Sequence, residues 1–146
     1  MQNKMCQNAR AIIKGGKDFP DICGEVLFSQ RQNGVMVTAK ISGFPGTESL
    51  FYGFHIHQGD SCTGEDFSET GGHYNPKNRP HPMHSGDLPP LISCAGKAYL
   101  QFITARFNLC EIIGKTVVIH GGSDDFRSQP SGDAGEKIAC GLIYKV

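Results

Sequence analysis

Between Gly34 and Gly43 the chain alternates with a period of two: Val35, Val37, Ala39 and Ile41 are separated by Met36, Thr38, Lys40 and Ser42. Residues two apart share one face of a strand, so one set faces a core and the other faces solvent. The same rhythm marks Gly24–Gln30, Tyr52–His57, Lys97–Thr104, Thr116–His120 and Cys140–Lys145, with a weaker version at Ala9–Lys14. Turn signals at Gln32-Asn33-Gly34, Phe44-Pro45-Gly46 and Ile113-Gly114 separate most of these segments. No stretch carries a convincing helical period. Seven or eight short strands of this kind predict an all-β fold, an antiparallel sandwich or barrel.

The length of 146 residues leaves room for one domain and excludes two catalytic ones. A hydrophobic share of 38% against 19% charged residues excludes a disordered chain. The 14 basic residues are balanced by 14 acidic ones, so no net field exists to hold a phosphate backbone, and no nucleic-acid partner is expected. No apolar run is long enough to cross a bilayer, and the start MQNKMCQNARAIIKGG lacks a signal-peptide core. The expectation is therefore no membrane partner, with a cytoplasmic location favoured and a mature extracytoplasmic form left open. Six cysteines, Cys6, Cys23, Cys62, Cys94, Cys110 and Cys140, are scattered without C-x-x-C pairs, so their redox state stays open as well.

Two stretches break the strand rhythm, Gln58–Leu91 and Gly121–Ala139. Connections of that length inside a compact domain are functional or disordered. All six histidines lie in or beside them: His55, His57, His73, His81, His84 and His120. His55 and His57 end a strand two residues apart, so both imidazoles reach one point; the bland alternative is a polar pair on a solvated face. His73, His81, His84 and Asp87 fall in a loop restricted by Pro76, Pro80 and Pro82. Three nitrogens and one carboxylate suit a closed tetrahedral zinc site, and a metal would offset the ordering entropy of such a loop. His120 closes another strand and opens the second long loop.

These residues resemble the Cu,Zn superoxide dismutase family, in a bacterial-like short form. The motifs are G-F-H-I-H at Gly53–His57, G-G-H-Y-N-P at Gly71–Pro76, the spacing from His73 to His81, H-S-G-D-L at His84–Leu88, V-I-H at Val118–His120 and G-D-A-G-E-K-I-A-C-G at Gly132–Gly141. They occur in the family's order, and the resemblance runs from about Ala9 onward, leaving 1–8 as a poorly ordered N-terminal extension to a domain at 9–146.

The resemblance implies an eight-stranded antiparallel Greek-key β-barrel with two long functional loops. It implies copper held by His55, His57 and His120, zinc held by His81, His84 and Asp87, and His73 shared by both. Asp124 matches a carboxylate linking a copper histidine to a zinc histidine, here His55 and His81. Cys62 and Cys140 match the family's disulfide, worth about 4.5 kcal/mol in the chain-entropy model. Cys94 and Cys110 are then expected as small buried or half-buried hydrophobes, with a second disulfide as the alternative. The activity implied is conversion of two superoxide ions and two protons to oxygen and hydrogen peroxide. Copper alternates between Cu(II) and Cu(I), His73 carries a proton, and zinc is structural.

Where the family carries an arginine beside the copper, this chain has Lys137, which keeps the charge and loses the planar fork. That departure sustains a rival reading, a non-catalytic copper-binding or metal-storage member. The partners implied are superoxide, a second copy in a homodimer and a copper-delivery protein. Oligomeric state stays open because subunit contacts differ between branches of the family.

Overall fold

Residues 6–146 are described by a computed structural model; residues 1–5 of the expected extension lie outside the described residues. Nine strand segments follow one another: β1 (Asn8–Gly15), β2 (Cys23–Arg31), β3 (Gly34–Ser42), β4 (Phe51–Tyr52), β5 (Phe54–His57), β6 (Leu91–Ile92), β7 (Ala98–Thr104), β8 (Thr116–His120) and β9 (Lys137–Lys145). The alternation in β3 is obeyed, with Val35, Val37, Ala39 and Ile41 all buried. In β1 the buried set is Ala9, Ala11 and Ile13, so the weaker pattern also forms a strand.

Seven of the strands pair in the order β5-β8-β9-β1-β2-β3-β7, every neighbour antiparallel, and β4 pairs with β6. Gly53 joins β4 to β5 and exchanges main-chain hydrogen bonds with the far end of β8, donating to Gly122 O at 2.9 Å and accepting from His120 N at 2.8 Å. β4 and β5 are thus one bent strand that changes partner at Gly53, and the nine segments make an eight-stranded all-β curl. The chain leaves β3 near one end of the order to form β5 at the other and returns to β7 beside β3, the crossing connections of a Greek key. Phe28, Phe54, Ile13, Ile56, Ile119 and Ile143 fill the interior, each contributing about 1.5–3 kcal/mol by leaving water.

Three elements escaped the period-two reading, the first a short 3-10 turn at Glu65–Thr70 inside the first long loop. β6 is only two residues long and follows Pro89-Pro90. The helix α1 (Leu109–Ile112) is a single turn that buries Leu109 and Ile112, and Asn108 N donates to Glu111 Oε1 at its start. The last strand also begins earlier than its apolar pattern, at Lys137, which shortens the second long loop.

Cys62 and Cys140 form the disulfide implied by the resemblance, with a Cα separation of 5.8 Å. The expectation for Cys110 is corrected: it is exposed on α1 and bonded to Cys6 rather than packed as a hydrophobe. Cys94 is also exposed, not buried, and like Cys23 it is a free thiol. Residues 6–8 are consequently held: Cys6 by that disulfide, Gln7 by accepting from Gln30 N, and Asn8 as the first residue of β1. Both bridges join segments far apart in sequence, which restricts the unfolded chain. Cys6→Ser should lower unfolding free energy in urea by about 2–4 kcal/mol. Cys23→Ser, at an exposed free thiol, should stay within about 0.5 kcal/mol of the parent. Equal denaturation midpoints for the two variants would show that the Cys6–Cys110 bridge adds no stability.

Candidate metal centre

β5 is buried on both faces, and its two sheet edges are both occupied. On one edge it pairs with β8, setting His55 opposite Val118 and His57 opposite Thr116. On the other edge lies the first long loop: Tyr74 N donates to Ile56 O, Ile56 N to Gly86 O and Gln58 N to Gly72 O, at 2.8–3.0 Å. That pairing sets His73 opposite His57 and Asp87 opposite His55. Gly86 approaches Ile56 O so closely that a Cβ would collide with it, so glycine is required there. His55 and His57 are therefore interior groups, and the solvated-face alternative for the H-x-H pair is excluded.

The six imidazoles, each no more than 8% exposed, converge in two groups that share one ring. Ligand-type atoms of His55, His57, His73 and His120 lie within 4.8 Å of one another, as do those of His73, His81, His84 and Asp87. A third group, His55, His81 and Asp124, connects them.

Hydrogen bonding determines which nitrogen each ring presents. The carbonyl of Gly71 can only accept, so His57 Nδ1, 2.8 Å away, carries the proton and Nε2 keeps its lone pair. By the same logic His120 donates from Nδ1 to Gly135 O at 3.1 Å. Burial drives the ordinary pKa of His57 down to about 2 and that of His120 down to about 3, so both rings are neutral at pH 7. Their two Nε2 lone pairs nevertheless face each other at 3.2 Å. Neither has a hydrogen to offer the other.

Asp124 resolves the remaining rings. Its Oδ2 accepts from His55 Nε2 and its Oδ1 from His81 Nε2, both at 2.8 Å. Burial raises the Asp124 carboxyl, but these hydrogen bonds and that from Phe126 N outweigh it and hold the group well below the usual carboxylate range. An ionised acceptor fixes both tautomers, turning His55 Nδ1 and His81 Nδ1 inward, buried and without a hydrogen-bond partner. Gly132, at φ +73°, packs where a Cβ would collide with Asp124 Oδ1 and His81 Nε2.

In the second group, His73 Nδ1 faces Asp87 Oδ1 at 2.8 Å and His84 Nδ1 at 3.2 Å. His81 Nδ1 lies 3.0 Å from Asp87 Oδ2 without hydrogen-bond geometry. Burial raises Asp87, and the hydrogen bond and charge of His73 overcome it, so the carboxylate stays ionised, with His84 N donating to Oδ2 at 2.9 Å. One ring proton cannot satisfy this many facing acceptors. The other nitrogen of His73, Nε2, is buried without a partner on the side of the first group. Each cluster is thus a set of converging lone pairs whose mutual repulsion a cation would relieve, four imidazoles in one and three imidazoles with a carboxylate in the other.

Lys137, at the head of β9 and opposite His120, is not a freely solvated lysine. Its Nζ donates to Thr70 Oγ1 at 2.7 Å and to Gly71 O at 3.0 Å, the carbonyl that also anchors His57. Burial lowers its pKa. The six histidines, Asp87, Asp124 and Lys137, the candidate site residues of the sequence, therefore lie in this one region. The sequence reading missed the anchors, Thr70 and the carbonyls of Gly71 and Gly135, because a main-chain acceptor leaves no mark on residue type.

Known proteins resemble this chain over most of its length. The family model for copper/zinc superoxide dismutase matches residues 22–143. Superoxide dismutase [Cu-Zn] 1 of Aquifex aeolicus is 33% identical over 135 residues, covering 82% of this chain and 79% of its own. Superoxide dismutase [Cu-Zn] of Legionella pneumophila is 33% identical over 132 residues, covering 85% and 79%. Among solved structures, a double mutant of a SOD-like protein from Bacillus subtilis superposes with a TM-score of 0.75 at 28% identity, over 90% of this chain and 94% of that one. With its histidine groups suited to copper and zinc, its Greek-key curl and a match over most of its length, the chain belongs to the copper/zinc superoxide dismutase family.

Proposed function

We propose that this chain is an active superoxide dismutase, turning two superoxide ions and two protons into oxygen and hydrogen peroxide. In this reading His55, His57, His73 and His120 would hold copper through the first cluster, and His73, His81, His84 and Asp87 would hold zinc through the second. The observation that carries it is the opposition of the His57 and His120 Nε2 lone pairs at 3.2 Å, beside the partnerless nitrogens of His55 and His73. Copper, when bound, supplies a one-electron Cu(II)/Cu(I) couple, and zinc supplies a fixed positive charge.

The chain's own residues supply the rest. Carbonyls of Gly71 and Gly135 and the Asp124 carboxylate prevent His57, His120 and His55 from turning. His73 offers both ring nitrogens, one to each cluster, so Nε2 is the atom at which a proton can be taken up and delivered while Nδ1 stays anchored. The Lys137 ammonium, fixed by Thr70 and Gly71, presents a positive charge at the His57–His120 side to draw in an anion. A lysine is a point charge without the bidentate fork, so it attracts superoxide more than it orients it.

Lys137 also favours a second reading, a copper-binding member with poor turnover. Metal analysis paired with a superoxide-consumption assay on the copper- and zinc-loaded protein separates them; a loaded protein that consumes no superoxide faster than free buffer overturns the enzyme.

Three substitutions test the roles. His120→Ala should reduce dismutation to background while zinc stays bound, and near-normal activity would remove His120 from the copper site. Asp87→Ala should weaken zinc about 100-fold, costing about 2.7 kcal/mol of linked stability and about 5–10 °C of melting midpoint in the zinc-loaded protein. An unchanged midpoint would leave no zinc site there. Lys137→Gln should lower the rate about tenfold at low ionic strength and flatten its salt dependence. If the rate matches the parent at low salt with copper occupancy equal, Lys137 plays no part in guidance.

A further inference from the structure

His81, His84 and Asp87, which belong to the second cluster and not to the first, sit outside helices and longer strands. The copper-side residues of β5 and β8 have their main chain fixed by a continuous strand ladder, whereas His81 and His84 have none and Asp87 has a single bridge to His55. Two side chains from elsewhere in the fold take its place. Arg106, in the connection from β7 to α1, directs Nη1 at three carbonyl oxygens of the loop: Pro82 at 2.6 Å, His84 at 3.2 Å and Asp87 at 3.4 Å. Arg106 is itself well placed, since its amide donates to Thr104 Oγ1 and the next residue, Phe107, is buried in the core.

Gln129, in the second long loop, grips the third residue. Its Oε1 accepts from His81 N at 2.8 Å and its Nε2 donates to His81 O at 2.7 Å. The side-chain amide pairs with the His81 main chain as a neighbouring strand would. Between them, Arg106 and Gln129 hold main-chain groups of all three residues that face zinc alone, and neither touches a ligand side chain.

We propose that Arg106 and Gln129 are positioning residues for the zinc half of the centre, supplying through side chains the rigidity that β5 and β8 give the copper half. This rests on the reading of the centre given above. A ligand's side chain moves with its own backbone, so releasing these carbonyls and this amide lets the three zinc-facing atoms drift apart while the copper-facing atoms stay. The expected signature is a selective loss of zinc-site affinity.

The test uses the full-length protein with Co(II) as a spectroscopic substitute for zinc, titrated through its visible ligand-field absorption, and zinc affinity from chelator competition. Copper affinity is measured on the same samples. Arg106→Met keeps the apolar stem and removes every donor, and Gln129→Leu removes both hydrogen bonds to His81. Each should weaken Co(II) and zinc by about 10–100-fold, the usual cost of losing an outer support of a metal ligand, with copper affinity unchanged. Arg106→Lys, with one charged donor restored, should fall between Arg106→Met and the parent. Parent-like Co(II) and zinc affinity in Gln129→Leu and Arg106→Met, or an equal loss on the copper side, overturns the proposal. If Arg106→Met does not fold, Gln129→Leu, at an exposed position, decides it. A parent that binds neither zinc nor Co(II) defeats the reading of the centre itself, whereas a parent that binds them and variants that bind them equally defeat only the clamps.

Discussion

Asp124 holds two imidazoles with one carboxylate, and the rest of the centre depends on that pair of bonds. A buried carboxylate is costly to desolvate, by several kcal/mol even after relaxation. Here the cost is met by three N–H donors: His55 Nε2, His81 Nε2 and Phe126 N, each at 2.8 Å. Because the carboxylate accepts only, each imidazole must spend its proton outward and turn a bare nitrogen toward its own cluster. A single residue of the second loop thus sets the tautomers of one ring on each side. Gly132 is part of the same device, since any side chain there would occupy the space of the bridge.

The fold's contribution is to bring two distant loops onto one strand. An open edge of β5 would expose main-chain groups in search of partners. The first long loop satisfies that edge, and in doing so carries His73 and Asp87 to the positions opposite His57 and His55. The opposite edge is satisfied by β8, whose last residue is His120 and whose continuation carries Asp124. Backbone hydrogen-bond satisfaction and assembly of the centre are therefore the same event, with the Cys62–Cys140 bridge tying the first loop to β9.

Much of this is legible in the sequence itself. Alternation located β1, β2, β3, β7, β8 and most of β9, because a sheet with one buried face writes its period into residue type. Residues such as His73, His81, His84 and Asp87 stood out because histidines in a proline-restricted loop lack a structural reason to be there. β6 and α1 were not legible, since two residues or one helical turn hold too few side chains to show a period. The partner of Cys110 was also hidden: Cys6 lies 104 residues away, and pairing over that distance is a property of the closed barrel. Carbonyl anchors such as Gly71 O and Gly135 O are invisible in principle, as every residue carries the same acceptor.

The two halves of the centre are therefore built by different physical means. His55, His57 and His120 project from strands whose ladders exist for reasons of core packing, so the barrel itself fixes the main chain that aims their rings at one point. His81, His84 and Asp87 belong to a loop in which each ordered residue costs about 1–2 kcal/mol of backbone entropy, and only a few hydrogen bonds oppose that cost. Binding free energy at such a site is also folding free energy for the loop that forms it. His73 stands at the boundary: its loop segment pairs with β5 through His57, yet its Nδ1 faces the loop-borne cluster. Because that pairing with β5 fixes the main chain on both sides of His73, its Nε2 stays aimed at the copper side with the strands while its Nδ1 meets the part of the loop that the strands do not order.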